Sequence, residues 1–245
     1  MPLIALVATF LLLLLLKRRI TYSLQELSVR WVGDPDIALV IYFVIVLPGV
    51  VIHELSHWLA AKVLGVRVSK LSIGPVRKGR SRRVSLGSLQ IRKVDPLRAS
   101  LIGMAPLIGG TLIILLIGFL VLDMDQVGGA VVGQDVEGIL AELERVVYIP
   151  DFWLWLYLIF SVSNAMLPSA SDMDTVRPVI IFLGALTAII VIVTGIPAIP
   201  PDVVRTVNVI AGYLASAFAL SLAVDIVFIS VIMMLLWVTR WLQAR

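Results

Sequence analysis

The stretch VVIHELSHWLAAK, residues 50–62, lies inside an apolar run that extends from about residue 37 to 64. A helix needs about 20 apolar residues to cross the hydrocarbon core of a bilayer, and this run is long enough. It nonetheless carries His53, Glu54 and His57. Ionisable and metal-binding side chains are costly in hydrocarbon and are kept there for a chemical purpose. The stretch therefore reads as a membrane helix with a reactive site inside it.

The rest of the chain fits that environment. Its 245 residues are 60% hydrophobic and only 15% charged, with a mean hydropathy of +1.05. Soluble domains sit nearer half apolar and a quarter charged, so an all-α multispan membrane protein is expected. About six candidate transmembrane helices follow from the apolar runs, at roughly 2–16, 37–64, 97–122, 152–171, 176–197 and 203–239. The first run ends in Lys17-Arg18-Arg19 and is read as a retained helix, because no small-residue cleavage site follows it. The last is long for one span and is expected to be tilted or broken.

Charge is segregated along the chain. Residues 62–98 hold eleven of the twenty bases against one acid, Asp95, while residues 123–151 hold seven acids and one base, Arg145. The positive-inside rule places 62–98 in the cytoplasm and 123–150 outside, with the cell membrane as the expected location. On this scheme Asp34 and Asp36 are external, Arg240 and Arg245 internal, and Lys17-Arg18-Arg19 external against the rule. The basic loop reads as a solvated cytoplasmic face rather than a nucleic-acid surface. Its segments VRVSKLSIGPV and RRVSLGSLQIRKV alternate apolar and polar residues around RKGRS. They predict a membrane-associated β-hairpin over about 66–94. Such an edge must lie in the interface, be covered by protein, or accept another strand.

His53-Glu54-Leu55-Ser56-His57 is H-E-x-x-H, and the chain's two histidines are both in it. A spacing of four puts both imidazoles on one helical face, within reach of one Zn²⁺. Glu54 stands beside them, placed to take a proton from water that the metal activates. Two structural histidines tying helices together is the blander interpretation, but it offers Glu54 no role. Without cysteine, the third ligand must be a carboxylate. Depth orders the candidates. His53 and His57 lie roughly 7–14 Å from the Lys62 end at 1.5 Å per residue. Asp172 has a similar depth, Asp174 is slightly shallower, and Asp225 is roughly 22 Å from Arg240. Asp172 ranks first, Asp174 second and Asp225 third. Asn164, read on the same helix as Asp172, is a candidate to hydrogen-bond substrate, or else an asparagine joining helices.

With these residues in view, the chain resembles the site-2 protease family of intramembrane zinc metalloproteases. HELSH matches the family's first motif. NAMLPSASD, residues 164–172, resembles its second, with Asn164 and Asp172 at the family's spacing. SIGP at 72–75 and VSLGSLQI at 84–91 resemble its membrane hairpin. Pro168 comes one position late, Met173 replaces the usual Gly, and Ser171 the usual Leu. The likeness covers residues 37–175. It implies a single polytopic protease domain over 1–245 without a PDZ module. One Zn²⁺ per chain would be held by His53, His57 and Asp172, with Glu54 as catalytic base. A single-span membrane protein is the expected substrate, unwound and bound by strand addition to the hairpin, with 84–91 as the expected edge. A membrane protease with a distant Glu ligand is less consistent, since no Glu follows Glu54 in a later span. A relative that binds membrane helices without cutting is the remaining alternative, and an intact Glu54 counts against it.

Overall fold

The structure is a computed structural model that describes residues 2–77, 84–92, 94–125, 136–194 and 200–243. The tip of the basic hairpin (with Lys78, Arg80, Arg82 and Arg83), Lys93, Asp135, Pro197 and Arg245 lie outside these residues. The described part is 84% helical. Its helices are α1 (Pro2–Val32), α2 (Pro35–Val63), α3 (Pro96–Leu120), α4 (Val136–Val147), α5 (Phe152–Met166), α6 (Ala170–Thr194) and α7 (Pro201–Gln243). Between α2 and α3 lies an antiparallel hairpin of β1 (Val68–Arg77) and β2 (Val84–Ile91).

Three helices, α2, α3 and α7, are long and apolar enough to cross a membrane. Six spans are not supported. In α1 the apolar run stops at Lys17-Arg18-Arg19, yet the helix continues to Val32. The fourth expected span, 152–171, is broken: α5 is a 15-residue helix ending at Met166. Leu167 is extended, with φ −67° and ψ 132°, as the residue before Pro168 is pushed to be. Asn164 and Asp172 therefore stand on different helices, not on one. The fifth expected span, 176–197, runs past Thr194 beyond the described residues. The last, expected to be tilted or broken, is not broken: it is one continuous 43-residue helix. Many large apolar side chains point outward, including Leu120, Phe182 and Ile192, as a lipid-facing surface requires.

Local signals start the helices. Pro35 and Pro96 occupy first-turn positions where a missing N–H costs nothing. Asp34 accepts from the N–H groups of Asp36 (2.7 Å) and Ile37 (3.2 Å), and Asp95 from that of Arg98 (3.0 Å), each satisfying orphan donors. Gly33, at φ 74°, makes the tight turn between α1 and α2.

α2 and α5 run parallel, joined by three contacts in register. Tyr157 Oη donates to Ile45 O (2.9 Å), Gly49 N–H donates to Ser161 Oγ (2.8 Å), and His53 meets Ala165 O (2.8 Å). A Cβ at Gly49 would overlap the Ser161 carbonyl, so the two backbones touch. α3 uses three glycines in the same way. A Cβ at Gly103 would lie 3.1 Å from Asp172 O, one at Gly109 would overlap Ser56, and one at Gly110 would overlap Met166. Small residues thus bring α3 against α6, α2 and α5 at once. One end of the hairpin packs on protein, with Val68, Leu89 and Ile91 against Ala61, Val66 and Ile102, while Leu71 and Ile73 are exposed.

α1 and α7 also run parallel. Phe10 meets Phe218, Ser23 meets Met233, Glu26 pairs with Arg240, and Arg30 bonds Gln243. Arg240 therefore shares an end of the molecule with the α1–α2 turn and Asp34. The expected topology separated them, and that is corrected. The misplacement came from counting 176–197 as a crossing of its own, which reversed the direction assigned to the last helix. Lys17-Arg18-Arg19 accordingly lie along α1, not beyond an outer end.

Single cysteines test this arrangement, since the chain has none of its own. Cysteines at Glu144 and Gln243 should label with an impermeant thiol reagent from one side, and a cysteine at Ser69 from the other. Labelling of Gln243 together with Ser69 would restore the hydropathy-based topology.

Candidate metal centre

His53 and His57 occupy successive turns of α2, and their rings meet edge to face, with centroids 4.7 Å apart. Each ring is held by its Nδ1. His53 Nδ1–H donates to Ala165 O on α5, and His57 Nδ1–H donates to Ile102 O on α3, both at 2.8 Å. Carbonyls only accept, so these bonds fix the tautomer and leave both Nε2 atoms as acceptors. The Nε2 atoms are 3.1 Å apart.

Asp172 completes the group from the start of α6. Its Oδ1 lies 3.3 Å from His57 Nε2 and its Oδ2 lies 3.6 Å from His53 Nε2. Asp172 is oriented by a reciprocal cap: its Oδ2 accepts from Ser169 N–H at 2.7 Å, and Ser169 Oγ accepts from Asp172 N–H at 3.3 Å. This is the capping box in an S-x-x-D form, and it satisfies two orphan donors at the helix start. The same cap aims the carboxylate at the histidines. Ser169 is what builds it.

With both imidazoles neutral, three acceptors facing one another at 3.1–3.6 Å repel, and a shared cation or a proton on one ring relieves them. Donors about 2.0–2.1 Å from one tetrahedral ion are separated by roughly 3.3 Å, so the observed spacing suits a shared metal. All three ligand atoms lie within 4.8 Å of one another, and the residues are buried or partly buried. The outer-shell carbonyls behind each imidazole are the kind that orient metal-bound histidine.

Glu54 is buried, at 4% exposure, and close enough to His57 to act on it electrostatically. β2 passes directly over it. A Cβ at Gly87 would lie 2.7 Å from the Glu54 carboxylate carbon. A larger residue there would push the Glu54 carboxylate or the strand aside, so glycine lets the hairpin sit on the centre.

The other carboxylates separate from it. Asp174 is exposed on α6 and approaches Arg177 at 3.7 Å. Asp225 is fully buried on α7, where it accepts from Ser163 Oγ (2.8 Å) and Asn164 Nδ2 (3.0 Å). Asn164 Nδ2 also donates to Phe160 O at 2.8 Å, so its amide ties α5 to α7. An Asp at a helix centre costs about 2.5–3.5 kcal/mol to place in a membrane. An interhelical hydrogen bond there recovers about 0.6 kcal/mol. Two such bonds do not offset the charge, and a counter-ion is needed.

The base whose charge reaches Asp225 is Lys17, which the sequence reading left out of the site. The Lys17 charge acts on Asp172 and on Asp225, and its Nζ donates to Leu167 O at 3.1 Å. The only signal in the sequence was a base interrupting an apolar helix; its partners are about 150 to 200 residues away.

The fold and centre define a helical membrane protein with a candidate two-histidine, one-carboxylate metal site. No family model matches the chain, no curated protein matches it, and no solved structure matches it.

Asp172 and Asp174 are separable by mutation. Asp172→Ala should lower metal affinity of the purified protein by at least about 10-fold, while Asp174→Ala should leave it unchanged. Metal content measured after equilibrium dialysis checks both.

Proposed function

We propose that the chain is an intramembrane zinc endopeptidase, resembling the site-2 proteases, that cuts a single-span membrane protein in or near its membrane segment. One observation carries this proposal. Glu54 is buried beside a centre formed by His53 Nε2, His57 Nε2 and an Asp172 carboxylate oxygen, with a β-strand crossing it. A structural histidine pair has no need of a buried general base or of an overlying strand.

Two imidazoles and one carboxylate form a donor set that zinc takes in hydrolases, with the fourth position left for water or substrate. Zinc, when bound, lowers the pKa of water to about 7 and polarises the scissile carbonyl. The protein's own residues do the rest. Ala165 O and Ile102 O hold the imidazoles in the tautomer that presents Nε2. Glu54 accepts the proton of the attacking water and hands it to the leaving amide nitrogen. The hairpin supplies backbone partners by strand addition at β2, because an unwound membrane segment must find replacements for its helical hydrogen bonds. In this scheme the buried Oδ1 of Asn164, without a hydrogen-bond partner among the described residues, is the atom that would accept a substrate N–H. The hairpin side is cytoplasmic and the α4 side external, following the charge of the two segments.

Two variants test the chemistry. Glu54→Gln should keep its zinc and lose at least about 100-fold in cleavage of a single-span reporter. Wild-type cleavage in Glu54→Gln would sink the hydrolytic mechanism. Gly87→Val should bind zinc normally and cleave slowly, since the added side chain lifts β2 from Glu54. Equal rates in Gly87→Val and wild type would remove the strand from the mechanism.

A further inference from the structure

The turn from α5 to α6 delivers the third metal-site residue, and it is held at three points. Ala165 O is fixed by His53, and Ser169 and Asp172 cap each other. Between them, Leu167 is the extended residue that ends α5, buried at 2% exposure. Its carbonyl receives the Lys17 ammonium at 3.1 Å. Pro168 follows and has no N–H to give, so the turn has few internal bonds with which to fix its own path. Lys17 comes from α1, a helix that supplies none of the three ligand-type side chains.

We infer that Lys17 is a positioning residue for Asp172: by bonding Leu167 O it fixes the α5–α6 turn, so that the Asp172 carboxylate faces the two Nε2 atoms. The inference rests on the metal-site reading above. A hydrogen bond therefore links α1, which is itself packed on α7, to the turn that carries the third ligand.

The sign of the effect separates positioning from simple charge. A lysine near a cation site repels the cation. If charge alone mattered, removing Lys17 would tighten metal binding. If Lys17 positions Asp172, removing it weakens binding, by about the 10–100-fold typical of outer-shell residues.

The experiment is titration of the metal-free, detergent-purified full chain with Zn²⁺ in competition with a chelator, and with Co²⁺ followed by its visible absorption. The expected results are a 10–100-fold rise in the Kd of Lys17→Met, a Co²⁺ spectrum altered toward that of Asp172→Ala, and near-wild-type values for Lys17→Arg. Lys17→Met leaves Asp225 without a counter-ion, so the double variant Lys17→Met/Asp225→Asn is measured as well. It removes both charges and keeps a hydrogen-bonding side chain at 225. It should fold and still bind metal weakly, because Leu167 O remains without the ammonium. Unchanged or tighter binding in Lys17→Met, or recovery in the double variant, would overturn the inference while leaving the metal site standing. A wild-type chain that binds neither ion overturns the site itself, and the inference with it.

Discussion

The ring N–H groups of His53 and His57 each donate to a backbone carbonyl on a different helix, Ala165 on α5 and Ile102 on α3. Enclosed between helices, these donors need partners from the protein. Satisfying them requires α3 and α5 to stand within hydrogen-bond distance of α2, which side chains of ordinary size would prevent. Gly49, Gly109 and Gly110 remove that obstacle. The same two bonds select the tautomer, and the tautomer turns both Nε2 lone pairs to one point. Helix packing and site chemistry are thus one constraint seen from two ends: moving α3 outward would free the His57 ring as well as open a gap.

Sequence reading captured what is local. A four-residue spacing sets two histidines on one face, and the alternation within 66–94 forecast a hairpin that is present. The capping box of Ser169 and Asp172 was also legible, as S-x-x-D ahead of an apolar run, but hydropathy drew a single span through it. Pro168 should have warned against that, because the residue before a proline avoids helix. Averaging over a membrane-length window hides a three-residue break. What pairs with what over long separations was not legible at all. Nothing near Lys17 in the chain announces Asp225 or Leu167, and the parallel run of α1 with α7 has no signature in either helix alone. The reversed end assigned to Arg240 came from the separate miscount of 176–197 as a crossing.

Apart from Glu54, the buried ionisable groups described above form two sets with different logic. His53, His57 and Asp172, with both imidazoles neutral, present acceptors without a donor among themselves, an arrangement that a shared cation or an added proton relieves. Lys17 and Asp225 carry opposite charges, with Ser163 and Asn164 as added donors. The second set is complete within the protein, and the first calls for something from outside. The carbonyl of Leu167 is where they touch.

The parallel pairing of α1 and α7 also has a meaning in time. Their contacting residues, such as Phe10 with Phe218 and Glu26 with Arg240, are separated by more than two hundred positions of chain. Contacts of such long range form late, after loop-closure entropy has been met. During synthesis α1 emerges among the first residues and must wait in the bilayer, with Lys17 lacking its carboxylate, until α7 is made. The two histidines of α2, in contrast, can meet their carbonyl partners on α3 and α5 well before then. If Lys17 sets the aim of Asp172, the last helix to be synthesised completes the first one's function. A nascent chain then carries the candidate metal centre unfinished until α7 has packed on α1.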